Sequence, residues 1–377
     1  MASTSKPTVA IVGTRGYPSY YGGFETLVRK LVPFLTERGW RVVVYCRSGV
    51  DRIGDDTDDA AVVQVFTPGI EKKSLSTLSY GLTSSIDAAF RNVDVALVMN
   101  VANGYWLPIL RARGIPVVLN VDGIEWERQK WGSLAKLVFR TGAVLTGRYA
   151  DRIVCDSLAI RDRWVAEFAR VGSYIPYGGT ETGQLAPVRG FGSGKYVLYV
   201  ARFVPENSVT EFVEAVKRLP DDMQVVIVGS SGYGGEIEAQ VAALANACES
   251  VTWLGHISND DELLALWQNC GAYFHGHSVG GTNPALVQAM ACGAPTVARD
   301  TKFNREVLGD AGVFTPADPG LIAEALIDVM GSEDARLRLG RSAMLRQQEQ
   351  FTWIGVCEAY ENELLASLDS PRTSALS

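Results

Sequence analysis

Short β-branched runs alternate with helix-length segments along almost the whole chain, and this alternation most limits the folds open to it. "TVAIVG" (8–13), "RVVVYC" (41–46), "VVQVFT" (62–67), "VDVALVMN" (93–100), "IPVVLNV" (115–121) and "DRIVCD" (151–156) read as the strands of one unit, because strands separated by helical patterns build parallel sheets with crossover helices. The pattern pauses over 176–194, "PYGGTETGQLAPVRGFGSG", where glycine, proline and small polar residues predict a linker. It resumes with "KYVLYVA" (195–201), "MQVVIVG" (223–229), "VTWLG" (251–255), "AYFHG" (272–276) and "PTVAR" (295–299). A chain of 377 residues with 47% hydrophobic and 20% charged content has the size for two well-cored domains. The expected architecture is α/β: two doubly wound Rossmann-like domains, at 1–180 and 195–350, joined through 181–194. Ligands of open α/β sheets bind beyond the carboxyl ends of the strands. Two such units facing each other predict a central cleft.

Several function classes drop out. A net charge of −7 argues against a general nucleic-acid binder, which needs a basic face. Six cysteines are scattered without a CxxC pair, so neither disulfides nor zinc are indicated. "MASTSKPT" lacks the apolar core of a signal peptide and no run reaches the length of a membrane span, which makes the cytosol the expected compartment. Asp56-Thr57-Asp58 formally matches an Asp-x-Asp metal motif, but a solvated acidic turn explains the run. Residues 128–148 interleave Arg128, Lys130, Lys136, Arg140 and Arg148 with Trp131, Leu134, Leu137, Val138 and Phe139, without an acid. Two readings stand for that stretch: a peripheral contact with an anionic membrane face, or an amphipathic helix packed on a sheet.

Three glycine- or arginine-bearing turns carry the chemistry. "GTRGYPSYYGGFETLVRKL" places Gly13, Gly16, Gly22 and Gly23 before a helix; the spacing is not that of a dinucleotide fingerprint, yet a Gly-Gly pair at a helix start can hold phosphate, with Arg15 adding charge. "GHSVGGTNPALVQAMACGAP" (276–295) sets Gly280 and Gly281 before a helix that opens at Pro284 and is capped by Thr282 or Asn283, again an amide-rich anion site. "VARFVPENSV" puts Arg202 just past a strand, where a guanidinium can bind two phosphate oxygens. One diphosphate explains all three. His275 and His277 at i and i+2 lack an evident third metal ligand, and His256 follows a strand.

These motifs resemble the retaining glycosyltransferases of the GT-B fold, family 4, most closely the bacterial rhamnosyltransferase-like branch. The resemblance lies in "GTRGYPSYYGGFET", "VDGIEWERQKWG", "ARFVPENS", "HSVGGTNPALVQAMACG" and "TKFNREVLGDAG", from about residue 9 to 316. The final helix (351–368) is similar to the segment that crosses back onto the first domain. The resemblance implies that the Gly22-Gly23 loop meets the donor's distal phosphate, that Arg202 holds the diphosphate, and that His277, Ser278, Gly280, Gly281, Thr282 and Asn283 contact the donor, with His256 by the base. Asn207 stands where the wider family has lysine, and Gly280 and Gln288 stand where it has two glutamates eight residues apart. Gln288 would then meet a ribose or deoxyribose hydroxyl without a carboxylate's charge. Asp122 and Glu125 would position the acceptor hydroxyl or take its proton; the competing reading pairs Glu125 with Arg128 or Lys130.

The reaction so implied is metal-independent, needs no cofactor, and retains anomeric configuration. The sugar, L-rhamnose from dTDP as first expectation and a hexose from UDP or GDP as second, passes to a saccharide or lipid-linked saccharide of surface polysaccharide assembly. The expected place is the cytoplasm, at the inner face of the cell membrane where the acceptor is lipid-linked. A nucleotide-sugar epimerase and a non-catalytic sugar-nucleotide binder are the rival classes.

Overall fold

The computed structural model describes residues 7–19, 22–48, 59–72, 75–128, 131–232 and 234–369. Asp56-Thr57-Asp58 and Lys130 lie outside these. The chain forms two compact units, Met1–Pro176 with Ile354–Ser377, and Tyr177–Trp353.

In the first unit the strands are β1 (Thr8–Val12), β2 (Arg41–Arg47), β3 (Val62–Thr67), β4 (Val95–Met99), β5 (Val117–Asn120), β6 (Arg152–Cys155) and β7 (Ser173–Tyr174). Helices α1 (Gly23–Glu37), α2 (Ser76–Phe90), α3 (Leu107–Ala112), α4 (Ser133–Tyr149) and α5 (Leu158–Phe168) connect them. The sheet is parallel, in the order β3-β2-β1-β4-β5-β6-β7. β1 and β4 are buried on both faces, as strands covered by crossover helices must be. Leu27, Val28, Leu31, Val32 and Leu35 line the buried face of α1, and each such side chain stabilises the unit by about 1.5–3 kcal/mol.

In the second unit β8 (Tyr196–Val200), β9 (Gln224–Val228), β10 (Val251–Trp253), β11 (Ala272–His275), β12 (Thr296–Arg299) and β13 (Val313–Thr315) alternate with α6 (Val209–Val216), α7 (Glu236–Ala247), α8 (Asp260–Asn269), α9 (Pro284–Ala291), α10 (Lys302–Leu308), α11 (Pro319–Gly331) and α12 (Glu333–Gln350). Its parallel sheet runs β10-β9-β8-β11-β12-β13. The stacked rings of Tyr199, Phe212 and Phe274 join β8, α6 and β11 in one of its two core clusters.

Sheet order reverses at β1/β4 in the first unit and at β8/β11 in the second. The crevice beyond the carboxyl ends at such a reversal is where open α/β sheets bind ligands. The final helix, α13 (Trp353–Asp369), packs on the first unit through Trp40, whose Nε1 donates to Glu361 at 2.9 Å, and through an Arg38–Glu358 pair at 3.1 Å.

The stretch 181–194, read from composition as a linker, is part of the second unit. Leu185 N donates to Gln268 Oε1 at 2.6 Å, Asn269 donates to Leu185 O at 3.2 Å, and Arg189 pairs with Glu262. These bonds tie the stretch to α8, although a Cβ on Gly183, Gly190 or Gly194 would meet nothing within 4 Å. Gly178 and Gly179 are closely packed. A Cβ on Gly178 would fall 2.9 Å from Trp353 Cα, and one on Gly179 would fall 2.9 Å from both Val287 O and Ala291 Cβ. Gly179 N donates to Phe351 O at 2.8 Å and Gly179 forms a parallel bridge with Thr352, so two distant passages of the chain are tied side by side.

Gly179→Ala is expected to cost about 1–3 kcal/mol through overpacking against α9, read as a lower denaturant midpoint with an unchanged slope; an unchanged midpoint would mean that the crossing is loosely packed.

Candidate functional site

Two loops at the β8/β11 reversal are knitted together. Asn207, buried, donates through Nδ2 to Arg202 O at 2.8 Å and meets His277 Nδ1 through Oδ1 at 2.5 Å. Ser278 donates from N and from Oγ to Glu206 O, at 2.9 and 2.8 Å. Gly276 permits the approach, since a Cβ there would lie 2.2 Å from Asn207 O. Beneath them Ser208 Oγ donates to Gly276 O and accepts from Arg299, both at 2.8 Å, and Asn304 Nδ2 donates to His277 O at 2.9 Å. Asn207, His277, Ser278 and the Arg202 carbonyl thus form one hydrogen-bonded cluster, with Arg202 itself exposed. His275 is a core residue that meets Tyr273 OH, and burial holds its pKa well below the usual imidazole value. His256 is exposed past β10, two strands away from β8, and bonds to none of the cluster.

The amides left without a partner fall before the helix start. Asn283 caps α9 by accepting from Ala285 N at 2.9 Å, and its carbonyl accepts from Leu286 N and Val287 N; Pro284 has no N–H. The backbone amides of Val279, Gly280 and Gly281 make no hydrogen bond within the described residues. Gly280 takes φ +97°, a conformation that suits glycine, and the N-cap of α9 follows three residues later.

Gln288 is engaged elsewhere. Its Oε1 accepts from Thr180 N and its Nε2 donates to Thr180 O, both at 2.9 Å. Both halves of the amide are used, and a carboxylate could supply only the acceptor half.

In the first unit two non-glycine residues with positive φ meet at the ends of adjacent strands: Asn100 (φ 71°) after β4 and Asp122 (φ 61°) after β5. Asn100 Nδ2 donates to Asp122 Oδ2 at 3.0 Å while its Oδ1 accepts from Ala102 N at 2.9 Å. Asn120 Oδ1 accepts from Asp122 N at 2.9 Å, and Asn120 Nδ2 donates to Tyr360 OH of α13 at 2.5 Å. Asp122 is half-buried, and strained backbone clusters at functional sites. Glu125 is differently occupied: it is buried, accepts from Trp131 Nε1 at 2.8 Å and pairs with Arg128 Nε at 2.6 Å. Of its two readings, the geometry matches the ion pair.

After β1, Gly13 (φ +95°) must be glycine, since a Cβ would fall 2.5 Å from Met99 O. Gly22 is the N-cap of α1 without a side-chain cap, and buried Glu25 in the first turn accepts from Arg15 N at 3.1 Å. An acid of the chain itself thus lies at this helix start, beside Gly22 and Gly23. Among the described residues no group of three His, Cys, Asp or Glu side chains could hold a metal ion.

Sequence reasoning missed Asn100, Thr180, Arg299, Asn304 and Tyr360. Asn100 ends a strand and could have been found by the rule that found Arg202; the others act through contacts distant in sequence.

Residues 186–346 match the family model described as Glycosyl transferases group 1, and residues 6–181 match one described as a domain of unknown function, DUF1972. The O-antigen chain mannosyltransferase B of Escherichia coli is 23% identical over 209 residues, 54% of this chain and 52% of that protein. A phosphatidyl-myo-inositol mannosyltransferase of Mycobacterium leprae is 31% identical over 155 residues, 38% of this chain and 40% of that one. The chain therefore matches about half or less of these relatives' length. Among solved structures, sucrose-phosphate synthase from Thermosynechococcus elongatus superposes with a TM-score of 0.78 at 19% identity, covering 96% of this chain and 100% of that one. Anabaena HepE in complex with UDP gives 0.73 at 16%, with 96% and 100% covered. The fold is of the GT-B type, two Rossmann-like α/β domains.

Gln288→Glu is expected to lose the bond to Thr180 O and set like charge against a carbonyl, lowering stability by about 1–3 kcal/mol. Urea unfolding checks it; a variant as stable as the parent that binds nucleotide more tightly would put residue 288 on the ligand instead.

Proposed function

We propose that the chain is a glycosyltransferase that moves a hexosyl group from a nucleoside diphosphate to a hydroxyl of a saccharide or lipid-linked saccharide, with retention and without a metal. The observation that carries this reading is the cluster at the β8/β11 reversal: Asn207 joining the Arg202 carbonyl to the His277 ring, with the unpaired amides of 279–281 following in the same loop, in a segment matching the Glycosyl transferases group 1 model. Breaking the bond from sugar to phosphate leaves negative charge on the departing diphosphate. A guanidinium and preorganised amides stabilise that charge more in the transition state than in the ground state. Asp122, held by Asn100 and by the Asn120–Tyr360 link, orients the acceptor hydroxyl. The leaving phosphate takes the proton on the same face, so no protein nucleophile is required.

We take dTDP-L-rhamnose as first donor on the resemblance in the glycine loop and the "PEN" turn. UDP and GDP sugars come next, since the relatives are named as mannosyltransferases and a neighbour was solved with UDP. For the acceptor side, α4 exposes Leu134, Leu137 and Val144, at 77, 60 and 52%, beside exposed Arg140 and Arg148; Arg140 also pairs with Glu167 at 3.1 Å. This face suits an anionic bilayer surface. No described helix is long and apolar enough to cross a membrane.

The deciding experiment adds dTDP, UDP, GDP, ADP or NAD to the purified chain and follows thermal unfolding, since a ligand bound only to the folded state raises Tm by mass action. A selective rise with dTDP is expected; UDP or GDP alone would change the donor, and NAD alone would overturn the class. With the donor fixed, release of nucleotide must depend on a saccharide acceptor, and Asp122→Asn should lower turnover roughly 10²-fold. Turnover without acceptor would indicate an epimerase, and binding without release a non-catalytic binder. Co-sedimentation with anionic but not neutral vesicles at low salt, lost in the double variant Leu134→Glu/Leu137→Glu, tests the membrane face.

A further inference from the structure

Arg47 ends β2 at the carboxyl edge of the first sheet, 7% exposed. A guanidinium keeps its charge in proteins, so burying one calls for an anionic partner. Within the described residues it has none: Arg47 forms no ion pair and its Nε makes no hydrogen bond. The Tyr80 ring lies 5.2 Å from the guanidinium carbon, a π-face and not an acceptor, and Gly69 leaves room for that ring, since a Cβ there would fall 2.6 Å from it. The neighbouring charge on the sheet edge is of the same sign. Arg47 N donates to Arg15 O at 2.9 Å, and burial first, then Arg15, lowers the Arg47 pKa. Glu25 and Glu71 act against that lowering, but neither pairs with Arg47, and the Glu25 carboxylate is bonded to Arg15 N.

The guanidinium opens on a narrow recess lined by the hydroxyl residues Thr14, Thr67, Thr77 and Ser84 and by Gly13 and Gly81. Thr67 and Ser84 share a hydrogen bond of 3.0 Å, so one of the two hydroxyl protons is left to donate elsewhere. One oxygen-sized group fits beside the arginine. Arg47 itself is three strand steps from Asp122 (β2-β1-β4-β5), roughly 14 Å at about 4.8 Å per step, farther than one sugar ring reaches.

We propose that Arg47 and this recess recognise an oxyanion on the acceptor, a phosphate ester or a sugar carboxylate, at a point well removed from the accepting hydroxyl. Assigning the anion to an acceptor rests on the glycosyltransferase reading; the binding of an anion does not. One oxygen enters between the guanidinium and the hydroxyls, and the rest of the group stays outside.

The test uses the full chain, with inorganic phosphate and, separately, glucuronate titrated at constant ionic strength while thermal unfolding is followed. Phosphate can also fill the amide turn at 279–281, so the quantity read is the difference between parent and Arg47→Gln. The parent should show a saturable rise in Tm that the variant lacks, and the variant without ligand should melt above the parent because a buried unpaired charge is gone. Thr67→Val, with the arginine kept, should weaken anion binding about tenfold. A difference with phosphate alone assigns a phosphate ester, and with glucuronate alone a carboxylate. An equal rise in parent and Arg47→Gln, or none in either, means that the recess holds only water and overturns the proposal. A chain that transfers no sugar yet shows the Arg47-dependent rise sinks the transferase reading and keeps the site; one that transfers sugar without that rise does the reverse.

Discussion

Parallel pairing forces the chain to return through a crossover after every strand, which gathers all the carboxyl ends of a sheet on one edge. Where strand order reverses, the two crossovers leave on opposite faces and a crevice opens between them. Both sheets reverse once, at β1/β4 and at β8/β11. Gly13 and Asn100 leave one reversal, Arg202 and the 276–283 turn the other.

At the second reversal, two of the three positions where the resemblance implies a charge carry an amide instead, and both serve as ties. Asn207 stands where the resemblance implies a lysine; its amide joins Arg202 O to the His277 ring without adding a charge. Gln288 stands where a glutamate is expected; its amide closes on both backbone groups of Thr180. In the proposed reading, the positive field for a diphosphate comes from Arg202, the amides of 279–281 and the α9 dipole.

The two-unit α/β architecture was legible because β-branched runs at regular spacing have few other solutions. Arg202 and the Gly280–Asn283 turn were legible because residues after strands and before helices face a crevice by construction. The linker was misread for a physical reason. Gly178 and Gly179 have the composition of slack chain, yet Trp353 and α9 press against them, and Leu185 further on is hydrogen-bonded to α8. Composition reports the absence of side chains; only packing tells whether the space is empty or taken. Glu125 shows the same limit, since the motif cannot say whether a carboxylate faces ligand or Arg128.

Asn100 and Asp122 carry the argument one step further. Left-handed backbone costs most residues about 1–3 kcal/mol, and glycine would avoid that cost at both positions. Asparagine and aspartate tolerate the region better than other side chains, and here each keeps a polar group that the fold uses: the asparagine amide holds the carboxylate, and its carbonyl oxygen caps the following turn at Ala102 N. Glycine would relax the backbone and leave no carboxylate to aim. The strain is therefore tied to the position of one oxygen, Asp122 Oδ2, and the hydrogen bond that reaches Tyr360 through Asn120 makes that position depend on α13, the last helix of the chain.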